Sequence, residues 1–136
     1  MIIPSAFALA LLTRVRVRAE RLRRDPGSRY RWLPNQDRFL RSSAKVRMIR
    51  QGNQWGGKST AALYDVLCHL RGLHPYKDVP SGPVEWWVIC AESSQSIAIQ
   101  RKLWDLVDPD EVAPGCEFDD VRGFRGRQPV LKLRTG

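Results

Sequence analysis

Apolar residues recur along this chain with a helical period in two places. The first is the segment 59–71, which Gly72 is expected to end. Its apolar positions fall at i, i+3, i+4 and i+7: Leu63, Val66, Leu67 and Leu70. The second is the segment 94–107, which Asp108 and Pro109 should stop, with Ile99, Leu103, Leu106 and Val107 on one side. Both patterns predict amphipathic helices.

Strand-like patterns stand before and between these two helices. Residues 46–49 (VRMI) form a short strand pattern, and residues 84–91 (VEWWVICA) are a near-continuous apolar run of strand length. Such a run is typical of a strand that is covered on both faces, where Trp86 and Trp87 should cover opposite faces. Residues 109–128 should form loops, and residues 129–134 the opening of a third strand. The order predicts an α/β fold with a parallel sheet and flanking helices.

The N-terminal part is a separate arginine-rich segment, residues 1–32, which we predict to be helical. Residues 1–12 are apolar, but they lack the basic start of a signal peptide and are too short to span a bilayer. Ser5 is a candidate N-cap for the first helix, and Asn35 is one for a short helix over residues 36–43, where Asp37 suits the first turn. We therefore expect a cytoplasmic protein without a membrane partner.

Charge is concentrated in the first 50 residues, which hold 13 Lys and Arg against three acidic residues, out of a net charge of +9 for the chain. Eight arginines lie between Arg14 and Arg31, a density that suits phosphate backbones or an acidic partner, although charge runs are usually solvated helix faces. Cys68, Cys90 and Cys116 are far apart and suggest neither zinc nor a disulfide framework. The histidines, His69 and His74, have no evident partners in the sequence.

The segment Gly52–Ser59 reads G-N-Q-W-G-G-K-S and fits the phosphate-binding pattern G-x-x-x-x-G-K-[ST]. Its glycines let backbone N–H groups turn around phosphates, and the helix behind adds a partial positive charge. Lys58 is the candidate catalytic residue because it can reach the β- and γ-phosphates. Ser59 is the candidate Mg²⁺ ligand, and the expected ligands are ATP and Mg²⁺. The candidate nucleotide-binding residues of this segment are Gly52, Asn53, Gln54, Trp55, Gly56, Gly57, Lys58, Ser59 and Thr60.

Hydrolysis also requires a carboxylate pair at the end of an apolar strand, and the sequence offers no such pair. Asp119-Asp120 follows a segment without an apolar run and is more typical of a solvated loop. Residues 33–136 are therefore interpreted as the N-terminal part of a P-loop ATPase domain, truncated before its acidic (Walker B) strand.

Residues 33–107 resemble the start of the ATPase domain in the large terminase subunits of tailed bacteriophages. The likeness lies in the order of features: L-P-N-Q-D-R-F, a basic strand, G-N-Q-W-G-G-K-S, and a Trp/Val strand that ends in A-E-S-S-Q-S before a helix with L-W-D-L-V. The resemblance implies a RecA-like P-loop fold in which Gln36 hydrogen-bonds adenine. It also implies that the full-length protein couples ATP hydrolysis to packaging of double-stranded DNA, with a C-terminal nuclease, a homo-oligomeric ring on the portal and a small terminase subunit as partner.

This loop departs from many terminases because it carries Asn53, Gln54 and Trp55 and no arginine. Arg50 precedes the loop, and nothing in the sequence indicates that its side chain points into the loop. Two other functions stay open: a different P-loop enzyme, helicase-like or a kinase, or a small nucleic-acid-binding protein with a vestigial P-loop.

Overall fold

The computed structural model describes residues 6–50, 57–80 and 82–134, which form a mainly helical structure. Four α-helices follow one another: α1 (Ala6–Arg24), α2 (Pro34–Arg41), α3 (Lys58–Leu70) and α4 (Ser93–Trp104). Short 3-10 helices span Pro26–Arg29 and Pro109–Glu111. Two short strands, β1 (Phe118–Asp119) and β2 (Gly123–Phe124), pair antiparallel, with Phe118 opposite Phe124.

The predicted parallel sheet is wrong for this structure. In the described ranges the only sheet is the β1–β2 hairpin, and an isolated antiparallel bridge pairs Val112 with Leu133 outside this sheet. Residues 47–50 and 83–90 are not assigned to strands, and residue 46 lies in a bend. Most of their apolar side chains are exposed, and Met48 is 88% and Trp87 is 77% exposed. Trp86 and Trp87 therefore do not cover two faces of a buried strand.

The helical predictions agree better with the structure. α3 begins and ends within one residue of the predicted segment, and Gly72 ends it in the left-handed conformation at φ 65°. Leu73 N–H then donates to the Cys68 carbonyl, and Gly72 N–H donates to the His69 carbonyl, which is a Schellman motif. α2 also forms, but Leu33 is its N-cap and Asn35 lies inside the helix, so the predicted cap was wrong.

The core forms where one face of α3 packs against α2, α4 and the C-terminal segments. α3 supplies Leu63, Tyr64 and Leu67, all at most 4% exposed. The other buried members are Leu40, Cys68, Leu103, Leu106, Val107, Val112, Phe124 and Leu133. Trp104 of α4 stacks on Phe118 and meets Phe124 edge to face, which fixes the hairpin on the helix. α3 is thus the central element.

The N-terminal region joins this core through the 3-10 helix Pro26–Arg29. Gly27 lies under the ring of Tyr64, and the Tyr64 hydroxyl donates to the Asp25 carboxylate at 3.1 Å. Arg71, just past α3, pairs with Asp25 and with Glu111. No helix in the described part is long and apolar enough to cross a membrane.

Candidate functional site

The predicted phosphate-binding segment is only partly within the described structure. Gly52, Asn53, Gln54, Trp55 and Gly56 lie outside the described residues. The predictions for these five residues therefore stay predictions. What the structure describes is the end of the segment, Gly57 to Thr60, where the chain enters α3.

Gly57 is the N-cap of α3 and has a left-handed conformation, φ 55° and ψ 21°. The first helical bond runs from Ala61 N–H to the Gly57 carbonyl at 3.0 Å. Gly57 has no side chain that could cap the amides of the first turn, and this turn holds no acidic residue. The amides of the first turn, together with the helix dipole, therefore form an N-terminus that favours an anion.

Gln36 lies next to this N-terminus and is 5% exposed. Its side-chain oxygen accepts the Leu33 N–H at 2.9 Å, so one function of Gln36 is to close the first turn of α2. Its amide nitrogen lies 2.7 Å from the place where a Cβ on Gly57 would stand. Gln36 therefore lies beside Gly57, and its contact with adenine stays a prediction.

A groove with a volume of about 380 Å³ lies between α2 and the extended segment that leads toward the loop. Phe39, Met48 and Ile49 contribute apolar groups to its lining, and Arg38 and Arg50 contribute guanidinium groups. Neither of these two guanidinium groups has a carboxylate partner among the described residues. The groove is therefore positively charged where it approaches the loop.

Asp65, on α3, is the centre of a buried ion-pair cluster that the sequence analysis missed. Its carboxylate is 4% exposed and accepts two hydrogen bonds from the Arg47 guanidinium, at 2.9 and 2.7 Å. The Lys77 ammonium donates at 2.8 Å and His74 Nε2 lies at 3.1 Å, both to Oδ1. The two cations and one carboxylate give the cluster a net charge of +1.

The surroundings shift the pKa of two groups in this cluster, Asp65 and His74. Burial acts to raise the pKa of Asp65, but hydrogen bonds from Arg47 and Lys77 and their charges outweigh it and lower the pKa to about 2. Burial, helped by the Lys77 charge, lowers the pKa of His74, which therefore stays neutral. Tyr76 N–H donates to His74 Nδ1, so Nε2 carries the proton that His74 donates to Asp65.

The cluster connects the chain on one side of the predicted phosphate-binding segment to the helix on the other side. Arg47 precedes residues 52–59, Asp65 follows them, and Lys77 lies beyond α3. Arg47 also donates to the Phe39 carbonyl and Lys77 to the Ser42 carbonyl, so α2 is joined as well. A rigid frame of this kind reduces the conformational entropy that binding of a ligand would cost.

The sequence gives no signal for this cluster. In the predicted helix Asp65 lies opposite the stripe of Leu63, Val66, Leu67 and Leu70, on the face where a carboxylate is expected to be solvated. The prediction that the histidines lack partners was wrong. His69 Nδ1 lies 2.7 Å from the Asp65 carbonyl, and its ring packs on Trp86 with ring centres 5.0 Å apart.

The described residues contain no acidic cluster that could hold a metal ion. Asp119 accepts the N–H groups of Val121 and Arg122, which lower the pKa of its carboxyl, and so it closes the hairpin turn. Asp120 is exposed and lies near Arg101. No group of three or more His, Cys, Asp or Glu side chains that could hold a metal ion occurs within the described ranges.

Other proteins add no assignment to these observations. No protein-family model, no curated protein and no solved structure matches this chain.

Proposed function

We propose that this chain binds the triphosphate of a nucleotide such as ATP, together with Mg²⁺, through residues 52–59. One observation carries the proposal: the last residues of the motif coincide with the start of a 13-residue helix that has no capping side chain. Gly57 has the left-handed conformation that a glycine adopts without strain, and Lys58 is the first helical residue. The sequence motif and the local structure therefore favour the same ligand chemistry.

In this proposal each described residue of the site has its own role in binding the nucleotide. The first-turn amides and the helix dipole attract phosphate oxygens, and the Lys58 ammonium adds a point charge at the β- and γ-phosphates. The Ser59 hydroxyl is the protein ligand of Mg²⁺, an ion that neutralises phosphate charge and otherwise takes its ligands from phosphate and water. The Asp65 cluster holds the two ends of the segment in place. Gln36 fills the space beside Gly57.

A wider proposal is that this nucleotide site serves a DNA-packaging motor of the terminase large-subunit type. It rests on the sequence resemblance of residues 33–107, with double-stranded DNA and a homo-oligomeric ring as the implied partners. The hairpin carboxylates do not support hydrolysis, because Asp119 caps a turn and Asp120 faces solvent. We therefore propose nucleotide binding for residues 1–136 and no turnover by these residues alone.

The test is a titration of the chain with a fluorescent ATP analogue in the presence of Mg²⁺. Lys58→Ala removes a charge-assisted contact of about 1.5–3 kcal/mol, so its Kd should rise roughly 10- to 100-fold. Lys102→Ala, at an exposed position of α4, is the matched control and should leave Kd unchanged. If the Lys58→Ala variant and the unmodified chain bound the ATP analogue with equal affinity, the proposal would be refuted.

Two further measurements separate the proposal from the alternatives. Ser59→Ala should weaken binding with Mg²⁺ and have little effect in EDTA, because only the metal contact is lost. A nucleic-acid-binding protein with a vestigial loop would instead show no nucleotide binding and a salt-dependent affinity for DNA that survives Lys58→Ala. That combination of results would replace the nucleotide proposal.

A further inference from the structure

The side chain of His74 is fully buried, and both of its ring nitrogens form hydrogen bonds inside the structure. Nε2 carries the proton and donates to the Asp65 carboxylate at 3.1 Å, and Nδ1 accepts the Tyr76 N–H at 3.2 Å. The Tyr76 ring also meets the imidazole edge to face, with ring centres 5.8 Å apart. A second proton on this imidazole can bind only at Nδ1. The bond that closes residues 74–76 therefore exists only while His74 is neutral.

Protonation of His74 would also add charge to a cluster that already has more cations than anions. His74 shares the Asp65 carboxylate with the Lys77 ammonium and the Arg47 guanidinium. The side chains of these two cations are only 11% and 15% exposed. An imidazolium would give three cations against one carboxylate, a net charge of +2 in place of +1, with little water to screen the repulsion.

His69 lies beside this cluster on α3 but would not lose a bond on protonation. Its ring centre is 5.7 Å from that of His74. Its Nδ1 donates to the Asp65 backbone carbonyl at 2.7 Å and lies 3.7 Å from Asp65 Oδ2. The second proton would bind at Nε2, so the Nδ1 bond is kept in both protonation states. His69 and His74 are the only two histidines of the chain, so each can serve as a control for the other.

We propose that protonation of His74 is a switch that releases residues 74–77 from α3. The imidazolium loses the Tyr76 N–H bond and repels the Lys77 ammonium. Lys77 also donates to the Ser42 carbonyl at 3.3 Å, so its release removes a connection to α2 as well. The switch goes beyond nucleotide binding and does not depend on it. A looser frame around residues 52–59 is a consequence that rests on the proposed function.

The direction of the pH dependence follows from the difference between the closed and the released segment. In the closed segment burial, helped by the Lys77 charge, lowers the pKa of His74, whereas in water an imidazole has its ordinary pKa of about 6.5. The closed segment therefore binds the proton less readily, and it is favoured above about pH 6.5 and lost as the pH falls. Because one proton is involved, the opening constant should rise up to about tenfold per pH unit below that value.

Hydrogen exchange of backbone amides, measured by NMR on the full chain from about pH 7.5 to about pH 5, tests the switch above the range in which ordinary carboxyl groups titrate. After correction for the intrinsic exchange rate, the protection of the Tyr76 amide should fall up to about tenfold per pH unit below about pH 6.5. The amide of Leu67, a fully buried residue in the middle of α3, should keep its protection. An equal loss at both amides would mean that the whole molecule unfolds, and it would overturn a local release.

Two variants assign the effect to one histidine. His74→Asn keeps a side-chain acceptor for the N–H two residues further on and cannot be protonated, so its Tyr76 protection should not change with pH. His69→Gln is the matched control and should keep the pH dependence, because His74 is unchanged. Constant protection of Tyr76 in the unmodified chain would overturn the proposal. So would a pH dependence that His74→Asn keeps and His69→Gln loses.

Discussion

Replacement of Asp65 by asparagine tests whether the buried cluster holds the structure together. The substitution keeps the shape of the side chain and removes the charge that pairs with Arg47 and Lys77. These two cations have side chains that are only 15% and 11% exposed, so they would stay desolvated without a counter-charge. Loss of one partner from a buried ion pair costs about 3–5 kcal/mol. We expect Asp65→Asn to lower the free energy of unfolding by that amount at neutral pH.

The lowered pKa of Asp65 also predicts how the free energy of unfolding changes as the pH falls. The pKa of Asp65 is lowered from 3.8 to about 2, a difference worth about 2 kcal/mol of folding free energy. Because the folded-state pKa is the lower one, this stability is present above about pH 4 and is lost as the pH falls toward 2. The Asp65→Asn variant lacks the group and should lack this part of the acid dependence.

Urea unfolding followed by tryptophan fluorescence measures both quantities, since the chain has five tryptophans. Asp37→Asn is the control because Asp37 is partly exposed, pairs with Arg41 one turn away on α2, and should cost less than about 0.5 kcal/mol. A loss below about 1 kcal/mol for Asp65→Asn would refute the reasoning. So would an acid dependence of stability that the variant shares with the unmodified chain.

Three further predictions concern single residues. Gly27→Ala should cost about 1–3 kcal/mol in urea unfolding, because its Cβ would collide with the Tyr64 ring; no loss would mean that the ring moves freely. Gly57→Ala should cost at least about 1–2 kcal/mol, since an alanine at φ 55° is strained and its Cβ would stand 2.7 Å from the Gln36 amide; a stability equal to the unmodified chain would contradict this. Cys68 is 2% exposed, and burial raises the pKa of its thiol to about 11. Mass spectrometry after alkylation of the folded chain should therefore find Cys68 unmodified and Cys90 alkylated. Rapid labelling of Cys68 would show that the core opens.

The helices could be predicted from the sequence because their determinants are local. The apolar period of α3 and the glycine that ends it act within a few residues of the place where they stand, whereas α4 ends at Trp104, before the end that Asp108 and Pro109 predicted. The N-cap of α2 was misjudged for a related reason. Asn35 is a good capping residue by type, but Pro34 is favoured at the first helical position, so the helix starts at Pro34 and Leu33 is its N-cap.

The candidate site was predictable only in the part that a contiguous motif encodes. Gly57 and Lys58 stand where the motif requires them, at the start of a helix. The partners of Asp65 are 18 and 12 residues away along the chain and on both sides of it. No local pattern brings Arg47 and Lys77 together, because their proximity follows from how α2, α3 and the later segment pack.

The strand predictions show why an apolar pattern does not by itself specify a sheet. Residues 46–49 alternate between exposed Val46 and Met48 and half-buried Arg47 and Ile49, which is the pattern of a strand with one covered face. A strand is defined by backbone hydrogen bonds to a neighbour, and the described residues supply no neighbour for this segment or for residues 84–90. Arg47 instead takes its position from Asp65 by side-chain bonds. The strand prediction was therefore wrong about the pairing, which depends on residues far away in sequence, and the apolar Val46 and Met48 of this segment are exposed.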